Sequence, residues 1–260
     1  MDNAPHQLNQ EYPLNIDPST QEKLLEVQAK DTEIAQLVHR KGSLPEIERK
    51  AELETQLTRA RNQHVAAEVI LGDLQRDQAR SDADVEVVRQ RIIKDQQMLD
   101  SGTINDPKQL SALQHELESL ARRRTELEDL ELEIMERVEG AEAAVSVLAG
   151  QVTTLSGELE QVSTTLQDLN DTLSADIAEV EKERAALALA LPSDFMSLYE
   201  KIRESHSGVG AALLHRGQCG GCRLTIPPQE MQVIKVAPIE TVVQCEECRR
   251  ILIRTPESGI

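Results

Sequence analysis

The sequence predicts a mainly α protein: a long antiparallel coiled-coil hairpin followed by a small domain of short β-strands and one short helix, gathered around four cysteines. Three observations carry this. Apolar residues recur at alternating steps of three and four through most of the chain, which is the spacing of a helical seam. Aromatic residues make up 1% of the 260 residues while charged residues make up 28%, so there is little material for a thick core. The only four cysteines fall in two Cys-x-x-Cys pairs near the C-terminus.

Residues 1–17, with Pro5 and Pro13 and no periodicity, read as a flexible tail. Asp17-Pro18-Ser19-Thr20 starts a helix, because Pro is tolerated in the first turn and Asp17 or Ser19 can cap it. That helix runs to about Lys41. Gly42-Ser43-Leu44-Pro45 interrupts it, with Gly ending one helix and Ser43 and Pro45 placed to begin the next. The second helix continues to about Leu99, with a seam through Leu57, Ala60, His64, Ala67, Leu71, Leu74, Gln78, Ser81, Val85, Val88, Ile92 and Asp95. The lone His64 reads as a satisfied seam position.

The turn cluster at 100–107 is the hairpin tip. From Leu110 to Leu173 the seam positions follow the same spacing for nine heptads, and 17 of the 19 are apolar, Arg124 and Glu131 being the exceptions. If the turn centres near Thr103, residue i lies opposite residue 206 − i, and 18–191 form one hairpin with arms on the order of 120 Å long. Gln78 and Ser81 then fall close to Glu131 and Arg124. Such polar seam positions either fix register or hydrate a flexible joint. Gly140, Gly150 and Gly157 each weaken the return helix by roughly 1 kcal/mol.

Residues 192–260 form the second region. Pro192 closes the rod, Ser193 or Asp194 can cap a linker helix from Asp194 to Ser205, and Phe195, Leu198, Tyr199 and Ile202 share one face of it. That face reads as a docking core between rod and C-terminal domain, with an aromatic recognition site as the alternative. Strands are expected at 210–214, 223–226, 241–244 and 251–254, with a short helix at 229–234 after Pro227-Pro228.

Cys219-Gly220-Gly221-Cys222 and Cys245-Glu246-Glu247-Cys248 are separated by 22 residues. Two such loops bring four thiolates to a tetrahedral Zn²⁺ at about 2.3 Å, with no position left for water, so the ion is structural. A domain of this size needs such a fastener. Iron is the other metal that a four-cysteine cage takes. Redox Cys-x-x-Cys pairs belong in a βαβ setting and paired disulfides in a secreted chain, and the pattern matches neither. His206 and His215 read as surface residues.

These tip and cysteine motifs carry a resemblance. The tip, Asn105 to Glu118 followed by Arg122-Arg123, together with Gly208-Val209-Gly210 leading into the first cysteine pair, Pro227 and the second pair, resembles a bacterial family that joins a coiled-coil hairpin to a C4-type zinc ribbon. Members are described as adaptors, one serving flagellar assembly by binding a sigma factor and a flagellin transcript, another linked to type III secretion. The resemblance implies a non-enzymatic binding protein.

Composition bounds the partners. Net charge is −18. The first 191 residues hold 20 basic and 38 acidic side chains, while the remainder balances eight of each. An acidic rod repels nucleic acid along most of its length. No apolar run reaches membrane-spanning length and there is no secretory leader, so a cytoplasmic location is expected. There is no Walker loop, nucleophile elbow or His-Glu-x-x-His. The expected function is a zinc-binding scaffold for protein partners. The alternative is RNA or DNA binding through Arg216, Arg223, Lys235, Arg249, Arg250 and Arg254, with Lys108, Arg122, Arg123 and Arg124 at the tip.

Overall fold

The computed structural model describes residues 14–260, and the part of the expected tail at 1–13 lies outside them. Five helices and four strands follow in order: α1 Pro18–Gly42, α2 Pro45–Asp100, α3 Pro107–Leu189, α4 Ser193–Ser205, β1 Ala211–His215, β2 Gln218–Cys219, α5 Pro228–Val236, β3 Val243–Gln244 and β4 Ile251–Ile253. A 3₁₀ turn at Pro256–Ser258 ends the fold. The chain divides into two compact units, residues 46–164, and the N-terminal residues to 45 together with 165–260.

In the first of these units α2 and the leading part of α3 run antiparallel. Arg49 pairs with Glu158 at 3.0 Å and Arg91 with Glu116 at 3.5 Å, each one residue from the partner expected by the tip-centred register. Leu74, Ile134 and Val138 form a buried cluster between the helices, with Leu71 and Ala141 against it. Asp95, a polar seam position, is fully buried and accepts a hydrogen bond from Arg91 Nε at 2.8 Å. Burial and the neighbouring carboxylate of Asp82 on α2 push the Glu131 carboxyl above its usual range. Arg124 pairs with Glu128 of its own helix at 3.3 Å, and His64 with Glu68 at 3.5 Å.

The other unit is built on α1. Asp17 caps it, accepting a hydrogen bond from Thr20 N at 3.3 Å with Pro18 in the first turn. Ser43 does not cap α2 as expected; its hydroxyl donates back to His39 O at 2.9 Å and closes α1. Asp31 on α1 meets Arg184 on α3 and not Ala175, so the tip-centred register does not extend to α1. The helix α4 begins at Ser193 with Pro192 in the cap position and no side-chain cap, so neither Ser193 nor Asp194 takes the expected role.

Phe195 and Tyr199 are fully buried with Leu24, Val27, Leu191 and Ile202, and Ala211, Ile251 and Ile253 from the sheet complete the same core. This is the docking core expected from the linker helix, and burial removes the aromatic recognition alternative. Each of the Leu, Val, Ile and Phe side chains contributes about 1.5–3 kcal/mol on burial. The sheet therefore packs directly on α1 and α4 through this core.

The sheet order is β2-β1-β4-β3, with β1 and β4 parallel and both outer pairs antiparallel. The expected strand at 223–226 is absent: Arg223 takes a left-handed φ of 66°, and only Thr225 bridges to Gln218. The strand expected at 241–244 is confined to 243–244, because Thr241 pairs with Asn15. Residues 14–16 are therefore not loose. Ile16 N donates to Glu240 O at 2.7 Å and Val242 N to Leu14 O at 2.9 Å, and the Gln21 amide donates to the Ile16, Ile239 and Glu240 carbonyls.

Candidate metal centre

The two cysteine loops are near copies of one another. In the first, Arg223 N donates to Cys219 O at 2.7 Å and Cys219 N to Leu224 O at 3.1 Å. In the second, Arg249 N donates to Cys245 O at 2.7 Å and Cys245 N to Arg250 O at 3.0 Å. Each loop is closed by an arginine in the left-handed region, Arg223 at φ 66° and Arg249 at φ 58°. Backbone N–H groups turn inward onto sulfur, those of Cys222 and Gly221 onto Cys219 and those of Cys248 and Glu247 onto Cys245.

Two glycines in the first loop are required by close approach, since neither has a positive φ. A Cβ at Gly220 would lie 2.9 Å from Leu213 O, the carbonyl that accepts the Gly220 N–H, and one at Gly221 would lie 2.5 Å from Arg250 Cδ. The second loop is braced from α5, where buried Glu230 accepts a hydrogen bond from Glu246 N at 3.0 Å.

All four sulfurs lie within 4.8 Å of one another. Cys219 Sγ is 3.7 Å from Cys248 Sγ and Cys222 Sγ is 3.9 Å from Cys245 Sγ. A disulfide would need about 2.05 Å. Sulfurs on a tetrahedron about 2.3 Å from a zinc ion are about 3.8 Å apart, so the donor set fits Zn²⁺. Burial pushes the Cys219 and Cys245 thiols up, a cost that a bound cation removes by holding them as thiolates. Cys248 is instead lowered to about 7: its burial is outweighed by the N–H and guanidinium of Arg250 and by the neighbouring thiols. Among the described residues the cluster holds these four cysteines alone, and His206 and His215 lie outside it.

The six basic residues expected to form a C-terminal contact surface divide. Arg216, Arg223 and Arg249 are exposed on turns and Lys235 is exposed on α5. Arg250 is half-buried, donating from Nε to Val209 O at 3.0 Å and from its NH2 group to His206 O at 3.3 Å. Arg254 corrects the expectation. It is buried and donates to the carbonyls of Ile234, Ala237, Pro238, Ile239 and Thr241, so it is withdrawn from any external phosphate. At the tip, Lys108, Arg122 and Arg123 are exposed, and Arg123 pairs with Glu126 at 3.3 Å.

A cluster that sequence reasoning passed over holds the base of this region together. Gln28 Oε1 accepts from Gly210 N at 2.7 Å and Ala211 N at 3.2 Å, while its amide donates to Gly208 O at 3.1 Å. Tyr199, Asp31, Arg184, Glu200 and Arg203 surround it in one ion network.

Hairpin and four-thiolate ribbon together define a coiled-coil protein with a zinc site made of cysteines alone. The family model for the CT398-like coiled coil hairpin domain matches residues 27–207, and that for the C4-type zinc ribbon domain matches 218–252. The chain belongs to this family. It is 33% identical over 241 residues to an uncharacterized protein of Mycobacterium tuberculosis, covering 90% of this chain and 95% of that one. A solved structure from Mycobacterium smegmatis matches with a TM-score of 0.80 at 33% identity, over 92% of this chain and all of that one. CT398 from Chlamydia trachomatis shares the fold, with a TM-score of 0.64 at 17% identity over 90% of this chain and 97% of that one. No helix among the described residues is long and apolar enough to cross a membrane.

Proposed function

We propose that the chain is a non-enzymatic adaptor that binds protein partners through its coiled-coil rod and zinc ribbon, in the cytoplasm. The observation that carries this is the outer face of α5 and the turn after it. Val233, Val236 and Ile239 are 67%, 76% and 46% exposed there. Exposed apolar side chains grouped on a small, braced domain suit a protein surface better than a phosphate backbone. The closed thiolate cage supports the non-catalytic part of the reading, because structural zinc sites keep no open position.

Capture with the full chain from extract of the cells that make it, with and without nuclease, tests the reading. Protein partners retained after nuclease and lost with the Val233→Glu/Val236→Glu variant support it. Capture that disappears with nuclease contradicts it.

One observation favours RNA or DNA as the second reading. Arg216, Arg223 and Arg249 all occupy exposed left-handed turns on the ribbon. A phosphate-binding role would give affinity that falls steeply with salt and is lost on Arg223→Glu/Arg249→Glu.

A further inference from the structure

Arg250 touches three separate parts of the C-terminal region. Its Nε and NH2 groups are held by the carbonyls of Val209 and His206, in the turn that joins α4 to β1. Its Cδ occupies the space that a Cβ on Gly221 would need, at 2.5 Å, so the first cysteine loop closes directly against it. In the second loop its backbone carbonyl accepts a hydrogen bond from Cys245 N at 3.0 Å. The neighbouring Arg249 carries the same charge from the same loop but is exposed. Groups packed around metal ligands fix the orientation of those ligands, and their loss typically costs about 10–100-fold in metal affinity.

We propose that Arg250 is the positioning residue of the metal centre, a strut that makes zinc occupancy and the order of the 206–210 turn depend on each other. Gly221 is the matching half of the device, its missing Cβ leaving the channel through which Arg250 passes. Metal binding is thereby communicated to the turn whose N–H and C=O groups Gln28 of α1 also holds. Linkage requires the converse as well: anything that disorders that turn weakens the metal.

The test uses the full chain, with zinc affinity read by competition with a chromophoric chelator and the 206–210 turn read by hydrogen exchange with and without zinc. Arg250→Gln should bind zinc roughly 10–100-fold more weakly and lose the zinc-dependent protection of 206–210. Arg249→Gln, which removes the same charge without the strut, should keep both. Gly221→Ala should act through Arg250, so adding it to Arg250→Gln should cost little more than either change alone. Wild-type zinc affinity in Arg250→Gln, an equal loss in Arg249→Gln, or additive losses in the double variant would each overturn the proposal. Should Arg250→Gln fail to fold, Gly221→Ala decides: loss of affinity together with protection at 206–210 supports the strut, and loss of affinity with that protection intact overturns it.

Discussion

Tyr199 Oη donates a hydrogen bond to Asp31 Oδ2 at 2.7 Å, joining residues 168 positions apart in sequence. The same Asp31 receives Arg184 at 3.2 Å and Arg203 at 3.4 Å, and its carboxylate is almost wholly buried. Burial, then the hydrogen bond to the Asp31 carboxylate, push the Tyr199 hydroxyl well above its usual range, so it remains a donor. This contact fastens α4 to α1 beneath the ribbon.

Removing one end of this contact should therefore be costly in proportion to the charge left behind. Tyr199→Phe should lower stability by about 1–3 kcal/mol, since the hydroxyl goes and Asp31 keeps its arginines. Asp31→Ala should cost more than Tyr199→Phe, because Tyr199 loses its buried acceptor and Arg184 and Arg203 are left with Glu200 alone. Urea unfolding followed by circular dichroism measures both. Equal costs would mean that the network is not organised on Asp31.

Arg254 should behave as a structural residue. Arg254→Ala leaves five carbonyls of the 234–241 segment without their shared donor, each charge-assisted bond being worth about 1.5–3 kcal/mol before the segment relaxes. Hydrogen exchange should rise across 234–242, and Arg254→Lys should not restore it, because an ammonium cannot reach five acceptors. Full protection in either variant contradicts this role.

Glu131 gives the hairpin a pH dependence. Its folded pKa is raised above the ordinary 4.5 by burial and by Asp82, so folding works against the ionised carboxylate. The stability tied to that proton is complete below the unfolded glutamate value and is lost as pH rises through the raised one. Glu131→Gln should raise the unfolding temperature at about pH 7 and bring no gain at about pH 4. A gain of the same size at both would show that the carboxyl pair does not act through protonation.

The left-handed arginines offer a stabilising substitution. A non-glycine residue in this region costs about 1–2 kcal/mol, so Arg223→Gly or Arg249→Gly should stabilise the holo ribbon to thermal unfolding. A loss of stability would mean that the arginine side chain makes a contact worth more than the strain.

What the sequence made legible follows from how local each signal is. The four cysteines stand out because both loops are read within four residues, and only the fit of the two loops to each other needed the fold. The hairpin seam is a repeat long enough to survive its polar breaks, and the tip-centred register comes within one residue at Arg49 and Arg91. It fails at Asp31, where the α1–α2 interruption intervenes. Gln28 and Asp31 were passed over because their partners lie over 150 positions away, although a glutamine and an aspartate on the face that carries Leu24 and Val27 were a usable sign of buried polar contacts. Arg254 counts by sequence among the contact arginines, yet it closes the run Ile251-Leu252-Ile253, whose lack of alternation is the mark of a strand buried on both faces.

Native mass spectrometry of the full chain, purified under reducing conditions, tests the central claim most directly. One zinc ion per chain is expected, bound with all four thiols resistant to alkylation until a chelator removes the metal. A metal-free chain with four freely alkylated thiols, or a chain whose mass shows two disulfides, would contradict it.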